Sequence, residues 1–124
     1  MSTGIVIFAH GSSVATANDA VKVVAEAAAS AGGFEQSEVA FLEAEPSLAE
    51  AVARLAARGV NRILVAPYFL TLGIHLQRDL PAMVDQLGRV HTAVEIRITP
   101  PLDGHPALVQ ILLDRAREAL AAWK

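Results

Sequence analysis

Two histidines stand at places in the sequence where a metal-binding or proton-transferring side chain would be useful. His10 ends the apolar run "IVIFAH" and is followed by Gly11, whereas His75 lies in the apolar stretch "TLGIHL". Imidazole nitrogens bind divalent transition metals and exchange protons near neutral pH. Glu43, which ends the run "SEVAFLE", adds a carboxylate to the set. Two imidazoles and a carboxylate predict a divalent-metal site for cobalt, iron, nickel or zinc, with open positions for a substrate.

Spacing alone does not decide for this chemistry, because the sequence contains no paired-ligand motif such as HExxH. A histidine at the end of a strand is equally consistent with a polar group satisfied by its surroundings. Glu43 and Glu45 precede Pro46 at a predicted helix start, where acidic residues favour the helix dipole. His91 and His105 are predicted at helix ends, outside the site.

Strands and helices are predicted to alternate four times, and one segment between them is predicted as a loop. The third strand, "NRILVAPYF", is apolar throughout, as in a strand covered on both faces. The segment Thr71–Gln77, with His75, reads as a loop, and Pro81 as part of the first turn of the third helix. The other predicted strands are "GIVIFAH", "SEVAFLE" and "AVEIRIT". The first predicted helix runs from about Ala15 to Ser30, the second covers "EPSLAEAVARLAARG", the third runs from Pro81 towards Val90, and the fourth covers "HPALVQILLDRAREALAAW". The fourth helix has one apolar stripe, formed by Leu108, Leu112, Ala116, Ala119 and Trp123.

Alternation of this kind predicts an α/β fold: one flavodoxin-like domain over residues 1–124, with a four-stranded parallel sheet and helices on both faces. Such an order places strand 1 beside strand 3, and the winding reverses between them. Ligands of open parallel sheets bind outside the carboxyl ends of the strands at this reversal. His10, Glu43 and His75 are therefore expected on one rim.

Composition narrows the class of protein further. Hydrophobic residues make up 53% of the chain and charged residues 19%, which argues against disorder and predicts apolar surface covered by a partner subunit or a large apolar ligand. A net charge of −3 without a basic cluster, and 5% aromatic residues, argue against nucleic-acid binding. The absence of cysteine excludes disulfides and thiolate chemistry. No run is long enough for a membrane span, and no signal peptide is recognisable, so a cytoplasmic location is expected.

Four stretches carry a resemblance to a known family. "FAHGSS", "VAFLEAEPSL", "ILVAPYFLTLGIHLQRDLP" and "PPLDGHPALVQILLDR" occur in order over nearly the whole chain, and they resemble the short sirohydrochlorin chelatases of the CbiX and SirB type. The resemblance implies a chelatase-like fold and a homodimer around a shared cleft. It also implies insertion of Co²⁺, Fe²⁺ or Ni²⁺ into sirohydrochlorin, a tetrapyrrole of cobalamin and sirohaem biosynthesis, with no permanent cofactor.

The resemblance also implies roles for individual residues. The family's metal-binding histidines match His10 and His75, and its acidic position matches Glu43, although relatives carry a longer "FLELAEPSL" that leaves Glu43 and Glu45 both open for that place. The loop "PYFLTLGI" would wall the macrocycle. The expected wall residues are Phe69, Leu70 and Leu72, although Tyr68 and Phe69 are equally consistent with a place in the core.

Sirohydrochlorin carries peripheral carboxylates, which would need local partners on the protein. The expected partners are Arg78 and the backbone N–H groups of Gly11, Ser12 and Ser13. For Arg78, a solvated pair with Asp79 is the alternative.

Two other functions are compatible with parts of the sequence. A metal or tetrapyrrole carrier would need the same histidines but no turnover. A hydrolase or phosphotransferase would use His10 with Ser12 or Ser13, but the chain has no GxSxG elbow, no GxxxxGK[ST] loop and no arginine before the His-Gly pair. Metal insertion is therefore the leading hypothesis.

Overall fold

The computed structural model describes residues 2–123, in which strands and helices alternate in the predicted order. Within those residues, no helix is both long and apolar enough to cross a membrane. The elements are β1 (Thr3–Ala9), α1 (Ala15–Gly32), β2 (Gln36–Phe41), α2 (Leu48–Ala57), β3 (Arg62–Pro67), α3 (Ile74–Val90), β4 (Glu95–Ile98) and α4 (Ala107–Ala121).

The four strands form one parallel sheet in the order β2-β1-β3-β4. Ile7 of β1 is paired with Val39 of β2 on one side and with Ala66 of β3 on the other. The chain thus winds one way from β1 to β2 and the other way from β3 to β4. The predicted reversal between β1 and β3 is confirmed, and β4 lies at an edge as expected.

The main core lies between the sheet and helices α2 and α3. Alternate residues of the strands point to this side, because successive side chains of a strand face opposite ways. Phe8 and Val65 are completely buried there. The core comprises Val6, Phe8, Ala40, Leu48, Ala51, Val52, Leu55, Val60, Ile63, Val65, Leu80 and Val84.

Helix α3 begins earlier than the sequence predicted. Its first residue is Ile74, so the prediction of a loop over Thr71–Gln77 is wrong for its second half, and Pro81 lies inside the helix rather than in its first turn. The physical reason is burial: Leu80, only 1% exposed, reaches the core through a turn that precedes the proline. The gain from burying that side chain offsets the hydrogen bond that a helical proline cannot donate.

The opposite side of the sheet is only partly covered. Helix α1 packs against β1 and β2 on that side. Leu64 and Ala66 of β3 point the same way but are only half-buried. The expectation that β3 is covered on both faces is therefore not met within one chain, because α4, the remaining helix, has no buried residue in the structure.

Candidate active site

Main-chain hydrogen bonds join the loops that follow β1 and β2. The Leu42 amide donates to the carbonyl of Ala9 at 2.9 Å, and the Glu43 amide donates to the carbonyl of His10 at 2.8 Å. Both bonds continue the pairing of β1 with β2 by one step past the end of the sheet. The backbone of the two strand ends therefore holds Glu43 beside His10 at the rim.

The side chains of His10 and Glu43 approach each other on this rim. Nε2 of His10 lies 3.5 Å from Oε2 of Glu43, and both side chains are more than half exposed. Nδ1 of His10 lies 3.0 Å from the carbonyl oxygen of Gly11, which can only accept a hydrogen bond. In a neutral ring, Nδ1 then carries the proton, and Nε2 presents its lone pair towards the carboxylate.

This arrangement suits a positive ion between the two atoms. Two lone pairs that face each other repel unless a proton or a metal ion lies between them. Ligand atoms on a tetrahedral ion with bonds of about 2.1 Å are about 3.4 Å apart. The observed separation of 3.5 Å is close to that value. The pair can therefore hold a divalent ion or share a proton.

Glycine at position 11 is required by the turn that leaves β1. Its φ is +87°, which L side chains rarely adopt, and an added Cβ would lie 3.0 Å from the Cβ atoms of Phe41 and Ala44. Gly11 therefore lets the loop after β2 close onto the end of β1, where His10 meets Glu43.

Asn18 fixes the predicted substrate loop, and sequence reasoning missed it. Its Oδ1 accepts from the Ser12 amide at 2.9 Å, and its Nδ2 donates to the Ser12 carbonyl at 2.9 Å. The Ser12 hydroxyl accepts from the Val14 amide at 3.0 Å. The Ser12 backbone is thus occupied within the loop, whereas Ser13 is exposed. An asparagine one turn into the helix that follows a Gly-Ser-Ser loop was the available signal.

His75 lies on the same rim as His10 but does not join its cluster. It is an exposed residue in the first turn of α3, directly after the loop that leaves β3. Within residues 2–123 there is no group of three or more histidine, aspartate or glutamate side chains that could hold one ion. The structure therefore brings His10 and Glu43 together and leaves His75 apart from them.

The apolar residues after β3 divide into a core part and an exposed part. Phe69 packs against the core, with its ring centroid 6.0 Å from that of Phe8. Leu72 is half-buried, and Leu70 is 68% exposed. Ile74, at the start of α3, is 83% exposed and was not singled out from the sequence. The exposed part of this segment, called the exposed wall below, therefore consists of Leu70 and Ile74; Tyr68 is 37% exposed as well and is not a core residue, whereas Phe69 packs on the core.

Arg78 is paired with its neighbour in this structure. Its Nε donates to Oδ1 of Asp79 at 3.0 Å, and both side chains are largely exposed. This is the solvated pair that the sequence left open as an alternative. An exposed pair of this kind contributes little to stability, so Arg78 could exchange Asp79 for a substrate carboxylate at small cost.

The start of α2 does not depend on Glu43 or Glu45. Its N-cap is Ser47, whose hydroxyl accepts from the Glu50 amide at 3.1 Å. The acidic residue of the first turn is Glu50. The alternative interpretation of Glu43 as a helix-start acid is therefore not what the structure shows.

The two remaining histidines do lie at helix ends as predicted: His91 is the C-cap residue of α3, and Nδ1 of His105 accepts from the Ala107 amide at the start of α4.

Comparison with known proteins decides the family. The family model described as CbiX matches residues 4–119. The chain belongs to the CbiX family. A sirohydrochlorin cobaltochelatase of Methanopyrus kandleri is 34% identical over 94% of this chain and 96% of its own length. A chloroplastic sirohydrochlorin ferrochelatase of Arabidopsis thaliana is 29% identical over 95% of this chain, which spans 53% of that protein.

Solved structures agree with this membership of the CbiX family. A CbiX protein of cobalamin biosynthesis from Marinobacter aquaeolei superposes with a TM-score of 0.85 at 35% identity, over 98% of this chain and 99% of that one. The sirohydrochlorin chelatase SirB of Bacillus subtilis has a TM-score of 0.88 at 22% identity and is matched over 51% of its length. The SirB likeness shows the fold, and the expected chelatase-like α/β architecture is confirmed.

Proposed function

We propose that this protein inserts a divalent metal ion, Co²⁺, Fe²⁺ or Ni²⁺, into sirohydrochlorin. Family membership and near full-length similarity to a sirohydrochlorin cobaltochelatase support the reaction class. The observation in this chain that carries the proposal is the pair of His10 and Glu43, whose ligand atoms lie 3.5 Å apart at the reversal of the winding.

Insertion requires that the ion loses water while two pyrrole N–H protons leave the macrocycle. In the overall reaction, a hydrated M²⁺ ion and the macrocycle with its two pyrrole N–H groups form the metal complex, and water and two protons are released. Nε2 of His10 and the carboxylate of Glu43 can replace water on the ion. As the ion passes to the macrocycle, the same two atoms become free to accept the released protons. The open rim admits both substrates.

His75 and the exposed wall are proposed to act on the macrocycle side of the reaction. His75 stands at the start of α3, next to Ile74 and close in sequence to Leu70. An apolar face at Leu70 and Ile74 suits a flat ring, and His75 would serve as the second metal ligand or proton acceptor. The candidate partners for the peripheral carboxylates are Arg78 and the amides of Gly11 and Ser13.

We further propose a cytoplasmic homodimer with a cleft shared between two rims. A single rim can contact only one face of a planar macrocycle, which would leave the other face in water. The exposed apolar side chains at the rim support a second subunit there. No permanent cofactor is required, since the metal is a substrate. Sites with nitrogen and oxygen ligands generally bind the three metals in the same order of affinity, Fe²⁺ below Co²⁺ below Ni²⁺. The ligand set of this site therefore does not by itself identify which metal is inserted.

The test is an insertion assay with purified protein, excess sirohydrochlorin and one metal ion at a time. The absorbance change of the macrocycle measures the insertion rate. We expect many turnovers per protein and a rate well above that of the same mixture without protein. Uptake that stops at one equivalent would identify a carrier instead. His10→Ala and His75→Ala should each slow insertion for all three metals, with His91→Ala as the matched control.

A further inference from the structure

The ring of His10 is oriented by a hydrogen bond rather than by close packing. The sheet fixes the His10 backbone, because the Glu43 amide donates to the His10 carbonyl at 2.8 Å. The side chain itself is 58% exposed, so packing leaves the rotation of its ring largely free. Its Nδ1 lies 3.0 Å from the carbonyl oxygen of Gly11. That contact decides which ring nitrogen carries the proton and which one is open to an ion.

The Gly11 carbonyl belongs to a peptide group that is hydrogen-bonded on its other side as well. The same peptide group carries the Ser12 N–H, which donates to Oδ1 of Asn18 at 2.9 Å. Asn18, the Gly11–Ser12 peptide and the His10 ring thus form a relay of two hydrogen bonds. Consecutive hydrogen bonds polarise one another, so the bonded N–H makes the C=O of its own peptide a stronger acceptor. The Asn18 side chain can therefore act on His10 through the peptide.

An asparagine side chain is well suited to this place. Its carboxamide has an acceptor and a donor, and both are used on one residue: Oδ1 accepts from the Ser12 amide, and Nδ2 donates to the Ser12 carbonyl at 2.9 Å. This two-point contact fixes the orientation of the Ser12 backbone as well as its position. Asn18 lies half-buried in α1, an alanine-rich helix in which asparagine is a comparatively weak helix former. The bonds to Ser12 give a reason for an asparagine at this position.

We propose that Asn18 is a positioning residue for metal transfer: through the Gly11–Ser12 peptide it keeps the proton on Nδ1 of His10 and the lone pair of Nε2 open to the ion. The oriented atom, Nε2, lies 3.5 Å from Oε2 of Glu43. Loss of a group that orients a metal-binding histidine typically lowers metal affinity or activity by about 10- to 100-fold. The role in metal transfer rests on the proposed function, whereas the effect on the His10 ring is a property of the loop alone.

Nitrogen-15 NMR of the histidine rings in the metal-free protein tests the relay. The two nitrogens of a neutral imidazole differ in chemical shift according to which one carries the proton, and the His10 signals are assigned by their loss in His10→Ala. At mildly alkaline pH, where imidazole is ordinarily neutral, we expect the wild-type proton on Nδ1. Asn18→Leu removes both bonds to Ser12 at similar volume, and it should move part of the proton population to Nε2.

The matched control is Asp19→Leu, the same kind of change at the next residue of α1. Asp19 is exposed and its nearest charged partner is Lys22, at 3.8 Å. Asp19→Leu should therefore give the wild-type His10 spectrum. Circular dichroism checks that each variant is folded, and Asn18→Ala replaces Asn18→Leu if the larger side chain disturbs the helix.

Asn18→Asp separates the relay from the shape of the loop. Aspartate keeps an acceptor for the Ser12 amide but cannot donate to the Ser12 carbonyl when ionised. If the relay orients the ring, Asn18→Asp should keep the proton on Nδ1, whereas Asn18→Leu should not. A proton that moves to Nε2 equally in both folded variants would overturn the relay.

Binding of Co²⁺ alone measures the consequence for the metal site. Titration of the protein should show an affinity lower by about 10-fold or more in Asn18→Leu and unchanged in Asp19→Leu. An unchanged Co²⁺ affinity beside a changed tautomer would overturn the role in metal binding.

The tautomer also separates this inference from the proposed activity. A His10 proton that moves in Asn18→Leu and stays in Asn18→Asp would support the relay even if no insertion were seen. A proton that stays on Nδ1 in Asn18→Leu would overturn it, even if that variant inserted metal slowly.

Discussion

At the scale of single residues, backbone geometry rather than mutual attraction brings His10 and Glu43 together. Their contact is more than half exposed, and exposed ion pairs are worth about 0–1 kcal/mol. The two hydrogen bonds that the Leu42 and Glu43 amides donate past the ends of β1 and β2 are the firmer constraint. The pair can therefore lose its contact when an ion or a proton is transferred, without cost to the fold.

Removal of the His10 ring should impair chemistry much more than stability. We expect His10→Ala to lower the insertion rate by roughly 10²-fold, the lower end of the effect of one proton-transferring group. Its unfolding free energy should change by less than about 0.5 kcal/mol, as for an exposed side chain. Rates come from the absorbance assay and stability from urea unfolding. An undiminished rate in His10→Ala would refute the assignment.

A substitution at Gly11 should mainly lower stability, because alanine keeps the backbone amide but does not suit the turn. Gly11→Ala combines a left-handed φ with a Cβ 3.0 Å from Phe41 and Ala44, and we expect a loss of about 2 kcal/mol or more. Gly33→Ala has a similar φ of +73° but no atom within 4 Å, so it should lose only about 1 kcal/mol. Urea unfolding of both variants measures the difference. Equal losses would mean that the close approach at Gly11 does not matter.

Part of this site could be predicted from residue types alone. His10 and Glu43 each end an apolar run, and parallel strands end at one rim, so their proximity follows from pattern and topology. This reasoning does not single out Asn18 or Ile74. Asn18 follows a Gly-Ser-Ser loop, but its role depends on hydrogen bonds to that loop, whose path the sequence does not reveal. Ile74 lies in the predicted wall segment "PYFLTLGI", but the sequence does not show which side chains of that apolar segment stay exposed.

At the scale of elements, Pro81 does not mark the start of a helix. The preference of proline for a first turn predicts His75 in a loop, yet the helix extends seven residues before the proline. Leu76 and Leu80 are spaced one turn apart and both pack on the core side. That spacing was visible in the sequence, and it predicts helix before Pro81 when burial is allowed to outweigh a local penalty.

The early start of α3 is testable through its buried residue. Leu80→Ala should lower the unfolding free energy by about 2–5 kcal/mol, because Leu80 is a fully buried side chain of the helix. The adjacent Asp79→Ala, on the exposed side, should stay within about 0.5 kcal/mol. Chemical denaturation of both variants measures the contrast. An exposed loop at this position would tolerate both changes about equally.

At the scale of the whole molecule, composition predicted more burial than one chain provides. The apolar fraction of 53% led to the expectation of a partner or a large ligand, and the uninterrupted β3 to a strand covered on both sides. The structure shows why both patterns exceed one chain: the part of one sheet face at β3 and β4, and the stripe of α4, are left open. Sequence periodicity identifies an apolar stripe on α4 but does not show what covers it.

If two rims form the cleft, activity should depend on protein concentration. Dilution below the dimer dissociation constant should lower the rate per subunit, because an isolated rim contacts only one face of the macrocycle. The decline should follow the loss of dimer measured by light scattering over the same concentrations. A rate per subunit that stays constant while the dimer dissociates would show that one rim suffices for metal insertion.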